Sequence, residues 1–185
     1  MPGNPPRKIV VIGPESTGKS TLCRDLAQHY GTVWCPEFAR VYLGENGAAY
    51  TYQDLLQIAR GQQALEDELL DRAVPPFYFI DTNQYVMKVW CEVVFGDCHP
   101  WIIRQIAERR YDFYLLCDTD LPWVADGLRE YPDLAQRRSL FHIYKDIVIE
   151  SGTPWALISG ESDARLRAAV SALESAFPPA SDHGS

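Results

Sequence analysis

The chain has 185 residues, 46% hydrophobic and 23% charged, the make-up of one folded domain, which excludes disorder or low complexity for its bulk. Its 17 Lys and Arg against 25 Asp and Glu leave a net charge of −8, which argues against nucleic acid and anionic membranes as partners but permits a local basic pocket. No apolar run, Phe77 to Ile80 included, is long enough to span a bilayer, and none follows the polar lead MPGNPPRK, so a cytoplasmic protein without a signal peptide is expected.

Residues 1–7 are expected to be a disordered lead. Lys8 to Gly13, KIVVIG, is a continuous β-branched run, the pattern of a strand buried on both faces. Leu22, Leu26 and Tyr30 recur every fourth residue, predicting a helix from Ser20 to Tyr30; Thr32 to Cys35 reads as a second strand, stopped by Pro36. Thr51 with Asp54 has the form of a capped helix N-terminus, and Leu55, Ile58, Gln62, Leu65 and Leu69 give one face of the long helix behind it. Glu66, Asp67, Glu68 and Asp71 are expected on its solvated face. Pro75 and Pro76 end that helix, and Phe77 to Ile80 forms a third strand closing on Asp81. Gln84 to Phe95 and His99 to Arg110 read as helices broken at Gly96, followed by a fourth strand over Phe113 to Cys117. Asp118 to Pro132, carrying Pro122, Gly127 and Pro132, reads as loop. A helix with Leu140, Ile143, Tyr144 and Ile147 on one side comes next. A fifth strand over Trp155 to Ser159 and a helix lined by Leu166, Val170, Leu173 and Phe177 complete the series, and residues 178–185 are expected to be a disordered tail. The five cysteines, odd in number and without a C-x-x-C pair, read as reduced thiols in apolar surroundings. Strands alternating with helices predict an α/β fold in which a parallel sheet is covered on both faces and ligands bind at the carboxyl ends of the strands.

Gly13-Pro14-Glu15-Ser16-Thr17-Gly18-Lys19-Ser20 fits the P-loop pattern G-x-x-x-x-G-K-[ST] and lies between a buried strand and a helix. The glycines let successive backbone N–H groups converge on phosphate, Lys19 supplies charge for the β- and γ-phosphates, and Ser20 offers a hydroxyl to Mg²⁺. Gly13, Glu15, Ser16, Thr17, Gly18, Lys19, Ser20 and Thr21 are therefore the candidate ATP-binding set. Four apolar residues before Asp81 make a Walker B arrangement, with Asp81 as a second candidate metal-site oxygen. Glu37, after the second strand, is placed to take the proton of an attacking hydroxyl, with Arg40 one helical turn on; a solvated Glu/Arg pair is the alternative. Trp123 to Arg138 carries three arginines, of which Arg129 is the candidate for a lid, about residues 119–138, that closes over the γ-phosphate. Ser159 to Arg165 is either an adenine-contacting loop or an ordinary turn with Ser162 as N-cap. Trp90 and Phe95 could offer flat faces to an aromatic base, although core packing is the usual role of such residues.

G-x-E-S-x-G-K-S, Pro36-Glu37-Phe38-Ala39-Arg40, Ile80-Asp81-Thr82 and Trp123-Val124-x-Asp126-Gly127-Leu128-Arg129 occur in the same order in the ribosylnicotinamide kinase domain of NadR-type proteins. The chain resembles that domain from about Lys8 to Phe177, and differs from the pattern at Pro36, Asn83 and Val94 on the acceptor side. The resemblance implies ATP-dependent phosphorylation of the 5′-hydroxyl of nicotinamide riboside to nicotinamide mononucleotide, by a kinase domain standing alone. The expected fold is a P-loop NTPase with a five-stranded parallel sheet in order 2-3-1-4-5, one kinase domain over residues 8–177. Lys19, Glu37, Asp81 and Arg129 are the candidate catalytic residues, Ser20 and Asp81 the metal-site pair, and Glu37, Arg40, Asp81, Thr82, Trp90 and Phe95 the candidate acceptor set. Asp81 could share or take the base role given to Glu37. The expected ligands are ATP, Mg²⁺ and a nucleoside. The rival readings are a kinase for another nucleoside or small metabolite, and a regulatory ATP-binding module.

Overall fold

The β-branched run near the N-terminus is strand β1, Arg7–Ile12, in which Ile9 to Ile12 are completely buried. The computed structural model describes residues 4–178. Four further strands, β2 (Trp34–Cys35), β3 (Phe77–Asp81), β4 (Phe113–Cys117) and β5 (Trp155–Ile158), join β1 in one parallel sheet of order β2-β3-β1-β4-β5, as expected. Because side chains alternate across a strand, Ile9 and Val11 face a layer built on α1 (Lys19–Tyr30) and α7 (Ser162–Ala176). Val10 and Ile12 face the opposite layer, where Tyr144 and Val148 of α6 (Leu134–Glu150) and Val89 of α4 (Gln84–Phe95) complete the core. A satellite cluster joins α2 (Phe38–Asn46), α3 (Tyr52–Leu70), α4 and α5 (Pro100–Glu108) through Leu43, Leu55, Ile58, Met87 and Ile102.

The capped start of α3 is as read: Thr51 accepts from the Asp54 N–H, and Asp54 Oδ2 accepts from the Thr51 N–H at 2.8 Å. Several expectations are corrected. Arg7 is no part of a disordered lead: it pairs opposite Phe77, its N–H donates to Pro76 O at 2.9 Å, and its guanidinium lies 4.3 Å from the centre of the Phe177 ring. Residues 1–3 and 179–185 lie outside the described residues, so only the fringes of the expected lead and tail are seen. The second strand shrinks to Trp34–Cys35, and the Thr32 N–H is committed instead to Ala27 O at 2.9 Å, at the end of α1. The loop after β4 ends at Asp133, which caps α6 by accepting from the Gln136 N–H at 2.8 Å, so Arg137, expected in the loop-built lid, lies in the first turn of α6. It is 3% exposed and donates to Leu121 O at 3.3 Å. Glu161, not Ser162, is the N-cap of α7.

Glu66 is the largest departure. It is 2% exposed, not solvated, because it lies one helical turn beyond Gln62 and shares the inward stripe of α3. Its carboxylate is met by Lys8 Nζ at 3.3 Å, Arg109 Nη2 at 2.8 Å and the Tyr111 hydroxyl at 3.0 Å, the compensation that a buried charge requires. Asp67, also paired with Arg109, stays exposed as expected. Helix α2 went unread because nothing local announces it: it has nine residues, includes Gly44 and carries no side-chain cap of its own. Its first N–H is satisfied from another element. Gln62 Oε1 accepts from the Phe38 N–H at 2.7 Å, while Gln62 Nε2 donates to Pro36 O at 3.3 Å.

Candidate functional site

With every strand parallel, the segments that follow β1, β2, β3 and β4 emerge on one edge of the sheet. The phosphate loop leaves central β1 through Gly13, whose φ is +142° and whose Cβ, were there one, would sit 2.8 Å from Cys117 O. Only glycine fits that approach. The Thr17 hydroxyl closes the loop on Pro14 O at 2.7 Å, and Lys19 Nζ donates to the same carbonyl at 2.7 Å. Lys19 is the first residue of α1, so free N–H groups at that helix start face the loop.

Asp81 ends β3 opposite Val11 and therefore lies directly beside the loop. The Ser20 hydroxyl donates to Asp81 Oδ2 at 2.5 Å. Complete burial pushes the Asp81 carboxyl up to about 6, with Glu37 adding repulsion and Lys19, the Ser20 hydroxyl and Arg40 opposing both. A pair of hard oxygen donors, one a carboxylate whose charged form burial disfavours, fits a divalent cation such as Mg²⁺, which keeps most of its shell for phosphate and water.

Glu37 occupies the N-cap position of α2 and pairs with Arg40, Oε2 to Nε 3.2 Å. Arg40 Nη1 reaches across to Asp126 Oδ2 at 2.8 Å. Of the lid expected over about residues 119–138, the part before α6 is the loop 119–133, and the P-loop is hydrogen-bonded to it. Glu15 Oε1 accepts from Trp123 Nε1 at 3.0 Å and from the Tyr131 N–H at 2.6 Å, while Oε2 accepts from the Glu130 N–H at 2.9 Å. Ser16 Oγ accepts from the Val124 N–H at 3.0 Å and from Arg129 Nη1 at 3.4 Å. Arg129 Nε lies 3.1 Å from Asp126 Oδ2.

These pieces enclose one cavity of about 180 Å³. Residues Gly13 to Thr21 form its floor, Glu37 and Arg40 one wall, Val86, Val89, Trp90 and Val93 of α4 another, and Leu128 to Tyr131 the roof. Asp81, Thr82 and Phe95, all expected in the acceptor set, are not part of the lining. Thr82 is 2% exposed in a left-handed backbone conformation, φ 77°, with its hydroxyl turned to Asp81. Phe95, at the far end of α4, packs edge-on against Tyr52 and Tyr50 with ring centres 5.7 and 6.3 Å apart. Asn83, placed on the acceptor side by the resemblance, is instead the buried N-cap of α4, accepting from the Tyr85 N–H at 3.1 Å. Ser159 to Arg165 is a structural knot outside the cavity. There the 2%-exposed Arg165 donates to Gly160 O at 2.7 Å and Ile158 O at 3.1 Å, and pairs with Asp120.

Tyr50 and Glu130 carry no motif and were missed. The Tyr50 hydroxyl accepts from Trp90 Nε1 at 2.8 Å and donates to the Glu130 carboxylate, its two oxygens at 2.9 and 3.0 Å, so it fastens the lid to the aromatic wall. No local signal marks Tyr50, because its partners lie 40 and 80 residues away in the chain.

The sheet order, the phosphate loop on the central strand and the acid on its neighbour together define a P-loop α/β fold. The family model of the AAA domain matches residues 8–165, and the chain belongs to that family. It is 31% identical over 159 residues to the trifunctional NAD biosynthesis/regulator protein NadR of Escherichia coli (strain K12). That match covers 84% of this chain and 38% of the relative, so the chain spans well under half of the relative's length. Among solved structures it is similar to a NadR protein in complex with NR, with a TM-score of 0.73 and 20% identity over 95% of this chain and 52% of that one. It is also similar to a NadR protein in complex with NAD and AMP-PNP, with a TM-score of 0.74 and 21% identity over 92% and 49%. The resemblance to NadR-type proteins read from the motifs is thereby borne out. No helix among the described residues is long and apolar enough to cross a membrane.

Proposed function

We propose that the chain is an ATP-dependent kinase that transfers the γ-phosphoryl group to the 5′-hydroxyl of nicotinamide riboside. The observation that carries this reading is the single cavity in which the phosphate loop and a Glu/Arg/Trp wall face each other under one lid. The loop N–H groups and the start of α1 hold the phosphate chain, and Lys19 turns from Pro14 O to the β- and γ-phosphates. Ser20 and Asp81 would hold Mg²⁺, which would supply positive charge to the phosphate oxygens. Arg129, already at the loop through Ser16, approaches the oxygens of the transferring group. Glu37 takes the proton of the acceptor hydroxyl. Glu37 lines the cavity, whereas Asp81 lies beneath it with one oxygen held by Ser20.

A cationic pyridinium ring suits the acceptor side, where the Trp90 face and the Glu37 and Glu130 carboxylates converge. The ligands of the similar NadR structures, NR and NAD with AMP-PNP, support the same pair of substrates. The experiment is steady-state turnover with ATP, Mg²⁺ and equal concentrations of nicotinamide riboside, uridine and adenosine, identifying the monophosphate formed. Nicotinamide mononucleotide is expected to dominate. A neutral nucleoside phosphorylated faster would overturn the substrate, and slow hydrolysis that no nucleoside stimulates would point to a regulatory module.

A further inference from the structure

One oxygen, Asp126 Oδ2, is shared by two arginines, Arg40 of the cavity wall and Arg129 of its roof. Arg40 Nη1 lies 2.8 Å from it and Arg129 Nε 3.1 Å. The carboxylate's other oxygen accepts from the Leu128 N–H at 3.1 Å, which fixes its direction within the lid. Arg40 in turn is forked between Asp126 and Glu37, and Arg129 between Asp126, Ser16 and the Val124 carbonyl of its own loop. Glu37, Arg40, Asp126 and Arg129 thus form a chain of alternating sign, two cations and two anions, from the acceptor wall to the phosphate loop. Burial works against the Asp126 charge, but the Arg40 hydrogen bond, the Leu128 N–H and the two guanidinium charges outweigh it, so the carboxyl is held below its usual range.

We propose that Asp126 is a positioning residue that couples nucleotide binding to acceptor binding by exchanging its arginine partners, an inference that rests on the kinase reading above. Phosphate on the loop is a stronger anion than one shared carboxylate oxygen and draws Arg129 away from Asp126. Asp126 then has Arg40 as its one guanidinium partner and pulls it from Glu37. Glu37 Oε2, released from Arg40, becomes free to accept the acceptor hydroxyl. The loaded nucleotide therefore prepares the acceptor wall, and by linkage the acceptor strengthens the nucleotide by the same factor. Without phosphate on the loop, Glu37 stays tied to Arg40 and the acceptor side remains closed to productive binding.

The test is calorimetric titration of a non-hydrolysable ATP analogue with Mg²⁺, in the absence and presence of whichever nucleoside the turnover panel shows to be phosphorylated fastest. The two orders of addition are compared in wild type, Asp126→Asn and Asp126→Glu. In wild type the acceptor is expected to tighten the nucleotide by about fivefold or more. Asp126→Asn, which keeps the side-chain shape but removes the charge that competes for Arg40, should bring that factor to within about twofold of unity and lower kcat. Asp126→Glu restores the charge and should recover part of the coupling. A lid merely loosened by substitution would weaken both ligands alike and leave the factor unchanged. An unchanged factor in Asp126→Asn, or a wild type without coupling, overturns the inference while leaving the kinase reading intact. Failure of every nucleoside to turn over removes both.

Discussion

Asp81 is the least comfortable residue of the site. Its carboxyl is fully buried, with Glu37 near enough to raise it further and Lys19 too far committed to Pro14 O to neutralise it. With its pKa at about 6 in the folded chain and near 4 in the unfolded one, the folded state keeps a proton between those values that the unfolded state releases. Unfolding free energy therefore falls as pH rises through that window, by something on the order of 2–3 kcal/mol, and the loss persists at neutral pH. Asp81→Asn has no such proton to lose. Urea melts at pH 4.5 and 7.5 should show the wild type losing more stability than the variant between the two. Binding of the Mg²⁺ nucleotide should run the opposite way, strengthening as pH rises through 6 and the carboxylate forms. Lys19 belongs to the same scale. Its only hydrogen bond among the described residues is to Pro14 O, so Lys19→Ala should lower kcat/KM by about a hundredfold or more, roughly 2.7 kcal/mol, with the thermal midpoint little changed. Retention of activity within about tenfold would remove Lys19 from the reaction.

At the scale of elements, Glu37 is placed by the way α2 sits on α3. Gln62 holds the turn before α2 from one side, and the Phe38 ring lies against α3 from the other at Gly61. A Cβ on Gly61 would come 2.1 Å from Phe38 Cε1 and 2.5 Å from Cζ, so the ring occupies the space that any other residue would fill. Alanine is worth about 1 kcal/mol over glycine in a helix interior, yet forcing a ring out of its place costs about 1–3 kcal/mol. Gly61→Ala is therefore expected to be destabilising by up to about 2 kcal/mol despite its better helix propensity, a balance that denaturant melts will read directly. Since Phe38 directly follows Glu37, kcat should fall as well, with nucleotide affinity unaffected.

For the whole molecule, the decisive arrangement is a central phosphate loop roofed by a distant segment. Glu15 belongs to the P-loop by sequence, but its carboxylate is directed at the lid, 115 residues away at Glu130. Three donors converge on it, two of them backbone N–H groups, and hydrogen bonds to a charged acceptor are the stronger kind. Glu15→Ala should release the roof without unfolding the sheet. Limited proteolysis is expected to cut faster within residues 119–133, and the KM for ATP to rise roughly tenfold, while the thermal midpoint stays near that of the wild type. Equal protection of that segment in the two proteins would mean that Ser16 and Tyr50 suffice to hold it.

The sequence alone determined the strands, most helices, the phosphate loop and the acid at the end of β3, because each rests on short-range regularity. A β-branched run, a four-residue period, a capping pair and a glycine-bounded loop are all complete within a few residues. Helix α2, the burial of Glu66 and the polar partners of Glu15, Tyr50 and Asp126 were decided only by the tertiary structure, because each depends on a group that packing brings near. The cap of α2 comes from Gln62, 24 residues on, and the charge that accompanies Glu66 from Lys8, 58 residues back. Thr82 and Phe95 illustrate the converse: one follows Asp81 in the chain and the other shares α4 with Trp90, yet backbone direction at one and helix length at the other carry them away from the cavity. Proximity in sequence places a backbone, but a side chain's partners are chosen by how helices pack on the sheet.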